Sequence, residues 1–530
     1  MTTQQLAKKT VKKILVVNPQ TSSELSKIKR ALSKTWELPL PTNQSLLSAY
    51  RELLKNGEVE KNSSVEHILI KRKVRTLSGV APVTILTKPF PCPGKCVYCP
   101  TEPNMPKSYL SNEPAAMRAV LNHFDAFDQV TNRLRSLTEN GHTPDKIDIL
   151  ILGGTWSSYP KDYQKEFILD VYRAANSFAS SIDASKTLDE AQKKNETAAY
   201  RIIGICIETR PDHVCIPEIK RWREYGVTRV QLGAQHLDDN VQRITQRGHY
   251  TDALITATKM IKDAGFKIDY HIMQNLPGSN PEKDLWCVKE IVSNQNFQPD
   301  QVKIYPTIVN EYAELYDWYK DGRYESYSDE TLANLIVKIK QLIPYYIRIN
   351  RIVRDFPGES IISGNKITNL REYISKTMAE NGIACKCIRC RESKHETVDR
   401  SDATLFVDSY DASDGKEFFI NYASPDRSKL YAFCRLRLPS DKNAEHFLKD
   451  LKNAAIIREI HTVGKIVPIN SKSSGEPQHI GFGSSLIKEA EAIAKKAGYD
   501  TMAVIAGVGV RKYFYTLGYS LGDTYVLKKL

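Results

Sequence analysis

The sequence contains no uninterrupted apolar run of the length that a membrane-spanning helix needs. Its first residues, MTTQQLAKKTVKKILVV, also lack the long apolar core and small-residue cleavage site of a secretory leader. Ten cysteines in 530 residues are too few for a disulfide-stapled fold, and six of them fall in two close groups. We therefore expect a cytoplasmic protein with reduced, metal-binding cysteines and no membrane as a partner.

Acidic residues are scarce in the first part of the chain. The protein has a formal net charge of +13, and residues 1–75 contain 15 lysines and arginines against six acidic residues. Apolar spacing and polar caps in SSELSKIKRALSK and NQSLLSAYRELLKNG predict that this segment is helical. A focused basic surface attracts a polyanion by releasing its counterions, so residues 1–75 are predicted to bind nucleic acid. The alternative is a solvated helix face.

From about Val80, short apolar runs alternate with segments of helical spacing. The runs are VAPVTIL, KIDILILGG, RIIGICIE, VTRVQLG, FKIDYHIM, QVKIYP and YYIRINRIV. Buried strands that alternate with helices predict a parallel sheet, which we expect to form a partial barrel over residues 76–375. TLDEAQKKNETAA, near residues 187–199, is so polar that it is predicted to be an exposed insertion.

The pattern changes beyond Ser401. ATLFVDSYD, EFFINYAS and KLYAFCRLRL alternate as in an antiparallel sheet, and the helical GSSLIKEAEAIAKKAG and the strand TMAVIAG follow. This order predicts a separate α+β domain over residues 401–530. Residues 376–400 then form a linker between the two domains.

Three cysteines, Cys92, Cys96 and Cys99, follow the first predicted strand in KPFPCPGKCVYCPTEP. Zinc takes four protein ligands in a structural site, or three plus water in a catalytic one. A [4Fe-4S] cluster is commonly held by four thiolates, so three would leave one iron free for a small ligand. Gly153 and Gly154 follow the second strand. Since parallel strands end on one face, we expect these glycines near the cysteines.

The Cys-x3-Cys-x2-Cys spacing, with the aromatic Tyr98 before the last cysteine, closely resembles the radical S-adenosylmethionine (SAM) enzymes. The resemblance implies that the three cysteines hold a [4Fe-4S] cluster whose free iron binds the amino and carboxylate groups of SAM. It also implies that Gly153, Gly154 and Thr155 lie near the methionine amino group, where glycine lets the backbone approach a ligand closely. A zinc site is the alternative reading of the cysteines.

The helix predicted after residue 480 begins with glycines. In QHIGFGSSLIKEAEAIA they leave backbone N–H groups free to cradle a pyrophosphate. Together with TMAVIAGVGVRKYFYTLGYSL, this arrangement resembles the GNAT-type acetyltransferases and implies acetyl-CoA as co-substrate. The acetyl-CoA-binding residues that it implies are Glu459, Ile460, His461, Thr462, Gln478, Gly481, Phe482, Gly483 and Ser484. A glycine-rich helix cap without a ligand is the alternative.

One position departs from the GNAT-type pattern. The tyrosine that protonates the coenzyme A thiolate usually lies four residues before the glycine of the closing turn, and this chain has Phe514 there. Tyr513 and Tyr515 flank it and are the candidate catalytic residues. The departure argues against ordinary acetyl transfer to an amine.

A second group of cysteines, Cys385, Cys387 and Cys390, lies in the predicted linker. Such a compact set of thiolates suits zinc, and three reduced structural cysteines are the alternative. The fourth ligand is open among three residues: His395, Cys434 and His461. The remaining cysteines are expected in the core: Cys206, Cys215 and Cys287.

The two domains together closely resemble the Elongator catalytic-subunit family. The likeness covers roughly residues 65–530 and keeps the order of VRTLSGVAPVTILTKP, CVYCPTEP, ETRPD, RGHY, KIYPT and REIHTVG. It implies an enzyme of the acyltransferase class that uses SAM-derived radical chemistry and acetyl-CoA to install a carboxymethyl group at carbon 5 of the tRNA wobble uridine. It also assigns Lys146, before the second strand, to acetyl-CoA. The alternatives are a protein lysine (histone-type) acetyltransferase with a structural cluster and a tRNA-binding scaffold.

The same resemblance implies the partners. They are the anticodon loop of tRNA, gripped by residues 1–75, and an electron donor, while partner subunits are possible but not required. The loop is single-stranded, so unstacking its wobble base costs little. The expected α/β architecture is therefore a partial parallel (β/α) radical SAM barrel joined to an α+β GNAT-type domain, with a basic helical N-terminal segment.

Overall fold

The computed structural model describes residues 2–70, 79–367, 369–393, 400–442, 444–463 and 481–530. The chain opens with four helices: α1 Thr3–Val17, α2 Ser22–Thr35, α3 Asn43–Lys55 and α4 Ser63–Leu69. A side chain accepts a hydrogen bond from a backbone amide at the start of each helix, which caps it. The helices pack around their own apolar core. This confirms the predicted helical segment, although its basic end, Lys71 to Arg75, lies outside the described residues.

Seven parallel strands form the central sheet. They are β1 Ala81–Leu86, β2 Lys146–Leu152, β3 Arg201–Thr209, β4 Arg229–Gln235, β5 Lys267–Ile272, β6 Gln301–Ile304 and β7 Arg348–Ile352. The first helices around them are α5 Pro114–Leu121, α6 Ala126–Glu139, α7 Lys161–Ser177, α8 Leu188–Asn195, α9 Ile216–Glu224 and α10 Asp239–Ile244. The others are α11 Thr251–Asp263, α12 Pro281–Ser293, α13 Leu315–Lys320, α14 Asp329–Leu342, α15 Leu370–Glu380 and α16 Ile388–Arg391.

The strands pair in chain order, and β1 and β7 are the two edges, so the sheet is an open, partial barrel as predicted. The alternation along β2 shows how its sequence fits this position. Ile147, Ile149 and Ile151 are buried in the apolar core between the sheet and its helices. Asp148 and Leu150 point the other way and line the interior.

The predicted exposed insertion near residues 187–199 is wrong. Thr187 and Glu190 form a reciprocal capping box at the start of α8. Asn195 is buried, donates hydrogen bonds to Asn176 Oδ1 and Tyr200 O, and accepts one from a backbone amide of β3. The polar composition misled the prediction because these amide side chains satisfy buried groups instead of facing water.

A second sheet of seven strands follows. Its strands are β8 Thr404–Ala412, β9 Gly415–Ala423, β10 Leu430–Leu438, β11 Ala454–Thr462, β12 Thr501–Val504, β13 Ser520–Leu521 and β14 Val526–Lys529. They lie in the order β13-β14-β12-β11-β10-β9-β8, and helices α17 Phe482–Lys496 and α18 Arg511–Tyr515 complete the domain. All pairs are antiparallel except β11 with β12. The α+β prediction is confirmed.

The parallel pair diverges along its length. Residues 454–457 of β11 pair with residues 501–504 of β12, and there the ladder stops. β11 continues alone on this side through Arg458 to Thr462. Among the described residues, β11 has no strand partner on the β12 side beyond residue 457.

The second sheet packs against the amino ends of the barrel strands. Gly507 and Gly509 lie so close to β3 that a Cβ on Gly507 would collide with Ile203 O, and one on Gly509 would come within 2.6 Å of Arg201 Cβ. Tyr346, just before β7, stacks on Tyr410 of β8 with ring centroids 3.8 Å apart. Contacts near the amino ends of β3 and β7 therefore hold the two domains together.

Buried ion pairs cross the same interface. Arg458 of β11 donates to Asp300 Oδ1 of the barrel at 2.8 Å and to Glu417 Oε2 of β9 at 3.0 Å, and all three side chains are fully buried. Lys262 of the barrel helix α11 lies 3.6 Å from Glu417. Although burial raises it, the pKa of Glu417 falls to about 2 because Arg458, Lys262 and Arg437 surround the carboxylate.

Candidate active site

The cysteine triplet, formed by Cys92, Cys96 and Cys99, lies in the loop that follows β1, at the carboxyl end of the barrel. Cys92 Sγ lies 3.6 Å from Thr155 Oγ1, so the triplet and the residues after β2 meet as the sequence predicts. Cys96 and Val97 are buried against an apolar cluster. All three cysteines line one large cavity, of about 1850 Å³.

The two cysteine groups differ in the distances between their thiol sulfurs. The thiols of Cys385, Cys387 and Cys390 all lie within 4.8 Å of one another, whereas Cys92, Cys96 and Cys99 do not form such a compact group. A single zinc ion with Zn–S bonds of about 2.3 Å draws its thiolates together. A cube of four irons spreads them, because each thiolate binds a different iron. The triplet's spacing therefore fits an iron–sulfur cluster better than one ion.

Cationic groups surround the triplet. Arg247 Nη1 donates to Cys96 Sγ at 3.5 Å, and Lys107 Nζ donates to Gly94 O at 2.9 Å. Arg210 is buried and lies against Gly94 so closely that a Cβ there would collide with its Nη1. Burial raises the pKa of the Cys96 thiol, but Arg247 and Arg210 lower it overall. These cations favour the thiolate, the form that binds metal, at Cys96. Burial and the neighbouring Cys96 instead raise the pKa of Cys99 to about 12.

The glycine pair adopts backbone conformations that favour glycine. Gly153 has φ +141° and Gly154 has φ +98°, both outside the range of ordinary side chains. A Cβ on Gly153 would also collide with Thr87 Oγ1, while Gly154 lines the cavity beside the cysteines. The backbone at Gly154 is therefore open to a ligand in the cavity.

The barrel interior is polar rather than packed with apolar side chains. Tyr109 Oη donates to Glu208 Oε2 at 2.6 Å, and His271 Nε2 lies 2.8 Å from Gln231 Oε1, which also accepts from Lys303 Nζ. Burial raises the pKa of Glu208. Burial and Lys303 lower the pKa of His271 well below its usual value, so its ring is neutral at physiological pH. These groups line the cavity between the cysteines and the second sheet.

The far end of the cavity is formed by the second half of β11, which pairs with β10 but not with β12. Glu459, Ile460 and His461 line it, together with Phe433. Glu459 accepts from Lys267 Nζ at 3.1 Å and from Arg435 Nε at 2.9 Å, so its carboxylate joins the two domains. Burial lowers the pKa of the His461 ring. The structure therefore brings these predicted residues to the same cavity as the cysteine triplet.

The two candidate tyrosines have different surroundings. Tyr513 lines the cavity, and its Oη would lie 3.1 Å from a Cβ on Gly483, at the start of α17. Tyr515 Oη instead donates to Glu196 Oε1 of the barrel at 3.4 Å. Phe514 is buried in the core of the second domain. Of the two candidates, only Tyr513 faces the cavity.

The other predicted acetyl-CoA residues lie near this end. Gly481, with φ +79°, precedes Phe482, Gly483 and Ser484 in the first turn of α17. Thr462 ends β11, and its Oγ1 would lie 4.0 Å from a Cβ on Gly483. Gln478 lies outside the described residues.

Lys146 is the first residue of β2 and pairs in register with Arg201, which contacts Gly509 of the second domain. It therefore lies on the barrel edge that meets the second domain, but it is not among the residues that line the large cavity.

The second cysteine group adjoins the large cavity at the linker. Cys387 is buried, Cys385 half-buried and Cys390 exposed, and the three thiols fit around one ion. Neither Cys434 nor His461 joins the group, and His395 lies outside the described residues. Cys206 and Cys287 are buried as predicted, but Cys215 is exposed at the start of α9, so that part of the prediction is wrong.

Sequence reasoning did not assign a role to the polar residues inside the barrel. A lysine in QVKIYP and a histidine in KIDYHIM interrupt otherwise apolar strands, and this interruption is the signal that marks Lys303 and His271. The sequence marks the arginines of ETRPD and RGHY only as members of motifs and assigns them no contact. Their places beside the cysteine loop depend on contacts between distant segments, which no spacing encodes.

Comparison with known proteins agrees with this geometry. The Radical SAM superfamily model matches residues 91–285, and the Radical_SAM C-terminal domain model matches residues 299–380. The "tRNA uridine(34) acetyltransferase" of Dehalococcoides mccartyi is 40% identical over 87% of this chain and 100% of that protein. "Elongator complex protein 3" of Saccharomyces cerevisiae is 36% identical over 87% and 84%. The solved Elp3 of the archaeon Methanocaldococcus infernus, with an N-terminal deletion, has a TM-score of 0.74 at 35% identity, covering 86% and 100%.

The barrel and its cysteine loop thus define a radical SAM enzyme. The extent of the likeness, which continues through the second sheet, identifies the family more narrowly. The chain belongs to the family of tRNA uridine(34) acetyltransferases and Elongator complex protein 3. Among the residues that the structure describes, no helix is both long and apolar enough to cross a membrane.

Proposed function

We propose that this protein modifies the wobble uridine of tRNA, using SAM-derived radical chemistry and acetyl-CoA to install a carboxymethyl group at carbon 5. One observation carries the proposal. A single cavity of about 1850 Å³ is lined at one end by Cys92, Cys96 and Cys99 and at the other by Glu459 to His461 and Tyr513. A radical source and a thioester donor held at these two ends would share one cavity.

The triplet would hold a [4Fe-4S] cluster, with Gly153, Gly154 and Thr155 beside the SAM that it binds. When bound, these groups supply a carbon-centred radical able to take hydrogen from an unactivated methyl group, such as that of acetyl-CoA. The protein's own task is to hold the reactants. Arg247 and Lys107 fix the cluster loop.

The diverging strands support acetyl-CoA as the ligand of the far end. Beyond residue 457, β11 has no β12 partner among the described residues, so this edge would offer backbone groups to an extended chain, and the first turn of α17 would offer amides to a pyrophosphate. Lys146, on the barrel edge facing this domain, would contribute a positive charge. Gln478 belongs to the same proposed set.

Two further sites complete the proposal. Cys385, Cys387 and Cys390 would hold zinc, with His395 as the fourth ligand, and would fix the segment between the domains. The basic segment of residues 1–75 would grip tRNA phosphates. It contacts the barrel through Arg51 Nη1, which donates to Thr138 O at 2.7 Å, so a bound tRNA would be held against the barrel.

The test is anaerobic reconstitution with iron and sulfide, followed by addition of SAM, a reductant, unmodified tRNA and acetyl-CoA deuterated in its methyl group. We expect mass analysis to find a carboxymethyl uridine and deuterium in the 5′-deoxyadenosine formed. A protein that acetylates peptide lysines without SAM, and leaves the tRNA unchanged, would contradict the proposal and favour the lysine acetyltransferase alternative.

Tyr513→Phe is expected to slow the consumption of acetyl-CoA by about 10²-fold, because the Tyr513 hydroxyl, which lines the cavity, would give a proton to the departing thiolate. Tyr515→Phe is the matched comparison and should change the rate little, since Tyr515 bonds to Glu196 outside the cavity. The measurement is the release of free coenzyme A in the presence of tRNA. Equal effects of the two substitutions would refute the assignment.

A further inference from the structure

A smaller cavity adjoins the large one at the carboxyl end of β7. It has a volume of about 380 Å³ and is lined by residues 350–356, Arg371 of α15 and Arg389 of α16. Four of its lining residues are arginines and one, Asp355, is acidic. Most of these residues, including all four arginines, also line the large cavity, so the smaller one is a side pocket of it.

Two of the four arginines form ion pairs with neighbouring carboxylates. Arg351 pairs with Asp355 at 2.9 Å, and Arg354 pairs with Glu113 at 3.2 Å. Arg354 also donates to Ser108 Oγ at 2.7 Å and lies over the ring of Phe356. Ser108 belongs to the loop that carries the cysteine triplet, so this arginine ties the side pocket to the cluster end of the barrel.

The other two arginines of the side pocket donate hydrogen bonds to backbone carbonyl groups. Arg371 Nη2 donates to Ile349 O at 3.2 Å, and Arg389 Nη1 donates to Asn350 O at 2.6 Å. Neither forms an ion pair with a carboxylate of the described residues, and the nearby Glu392 pairs with Arg348. Arg371 and Arg348 both lie near enough to Arg389 to repel its charge. Like charges are therefore crowded here, and an anion would relieve the repulsion.

The neighbouring thiols do not neutralise the pocket. Three thiolates around one divalent ion carry a single net negative charge, and Asp355 adds a second. The four positive charges of the guanidinium groups exceed these two negative charges. Guanidinium groups match the oxygens of a phosphate in pairs. Single-stranded RNA is held by such cations together with aromatic rings on which bases stack, and Phe356 is half-buried at the pocket wall.

We infer that the side pocket formed by Arg371, Arg389 and Phe356 binds one phosphodiester of the substrate RNA, next to the nucleotide whose base enters the barrel. The inference rests on the proposed function and adds to it a defined contact. It also explains why strand carbonyls, and no carboxylate in the described part of the chain, orient these two arginines, because acidic partners would compete with the phosphate.

The test uses an anticodon stem-loop RNA in which each loop phosphate in turn is replaced by a neutral methylphosphonate. For the full-length protein, one position should weaken binding by about tenfold, and in R371Q/R389Q the same replacement should have no further effect. The slope of log affinity against log salt should also fall by about 0.7 per lost phosphate contact. Lys376→Gln is the control, since Lys376 lies on the same helix with its side chain 78% exposed, outside the pocket.

Folding of the variants is checked by metal content and thermal melting. If R371Q/R389Q does not fold, R371K/R389K keeps the charge but loses the paired geometry. It should bind the unmodified loop less tightly and lose the positional effect. A Gln variant with the wild-type slope and the wild-type positional pattern would overturn the inference while the proposed function stands. A wild-type protein that does not bind the stem-loop at all would overturn both.

Discussion

Cys96→Ala is expected to remove the iron–sulfur cluster, the reductive cleavage of SAM and all tRNA modification, while the chain still folds. Cys96 contributes its thiol to the triplet and accepts a hydrogen bond from Arg247. The substitution removes one of the three cysteine ligands of the cluster, and two thiolates are too few to hold it. The measurements are iron and sulfide content, with about four irons per chain expected for the reconstituted wild type, and 5′-deoxyadenosine release.

Cys215→Ala is the matched control for this substitution. Cys215 is an exposed thiol at the start of α9, remote from both cysteine groups in sequence, and its removal should leave iron content and activity unchanged. Zinc at the triplet of the wild type, or continued SAM cleavage by Cys96→Ala, would refute the cluster assignment and with it the proposed chemistry.

Arg458→Met is expected to lower the free energy of unfolding by about 3–5 kcal/mol, because it leaves Asp300 and Glu417 buried without their shared cation. Removing one partner from a buried pair costs more than the pair itself contributes, since the remaining charge has no water. Urea denaturation measures the change. Lys416→Ala, which removes an exposed pair with Asp411, should change the free energy by less than about 1 kcal/mol.

The same network predicts a dependence on acid. The pKa of Glu417 is lowered from its ordinary value of 4.5 to about 2, so its ionised form contributes stability that is complete above about pH 4.5. That contribution is lost as the pH falls from about 4.5 towards 2, because the unfolded chain takes up the proton first. In Arg458→Met the folded-state pKa of Glu417 rises towards its ordinary value, so the loss should be smaller and should end at a higher pH. A variant with wild-type acid stability would show that the network contributes little.

The strands of the barrel could be predicted because each is a short run rich in β-branched residues between helical segments. QVKIYP became β6 Gln301–Ile304, and YYIRINRIV contains β7 Arg348–Ile352. Cys92, Gly154 and their neighbours could be placed together because parallel strands end at one face. Both inferences use only local pattern and a general rule of strand direction.

Other features needed the folded chain. The choice of Tyr513 over Tyr515 depends on which hydroxyl meets Glu196, some 319 residues away in sequence. The helix at residues 188–195 was missed because Asn195 satisfies buried groups that only tertiary packing creates. The side pocket of Arg371 and Arg389 combines residues from β7, α15 and α16, and no sequence motif predicts that these residues form a pocket.

The ion pair between Asp300 and Arg458 has a consequence for how the protein is made. The two residues are 158 positions apart, and the arginine belongs to a strand of the second sheet. During synthesis the barrel strands leave the ribosome first, and domains tend to fold in that order. Until the second sheet supplies Arg435 and Arg458, burial of Asp300 would leave its charge without these partners, so the barrel surface around Asp300 is expected to stay hydrated. Maturation of the enzyme is therefore expected to finish only with the last part of translation.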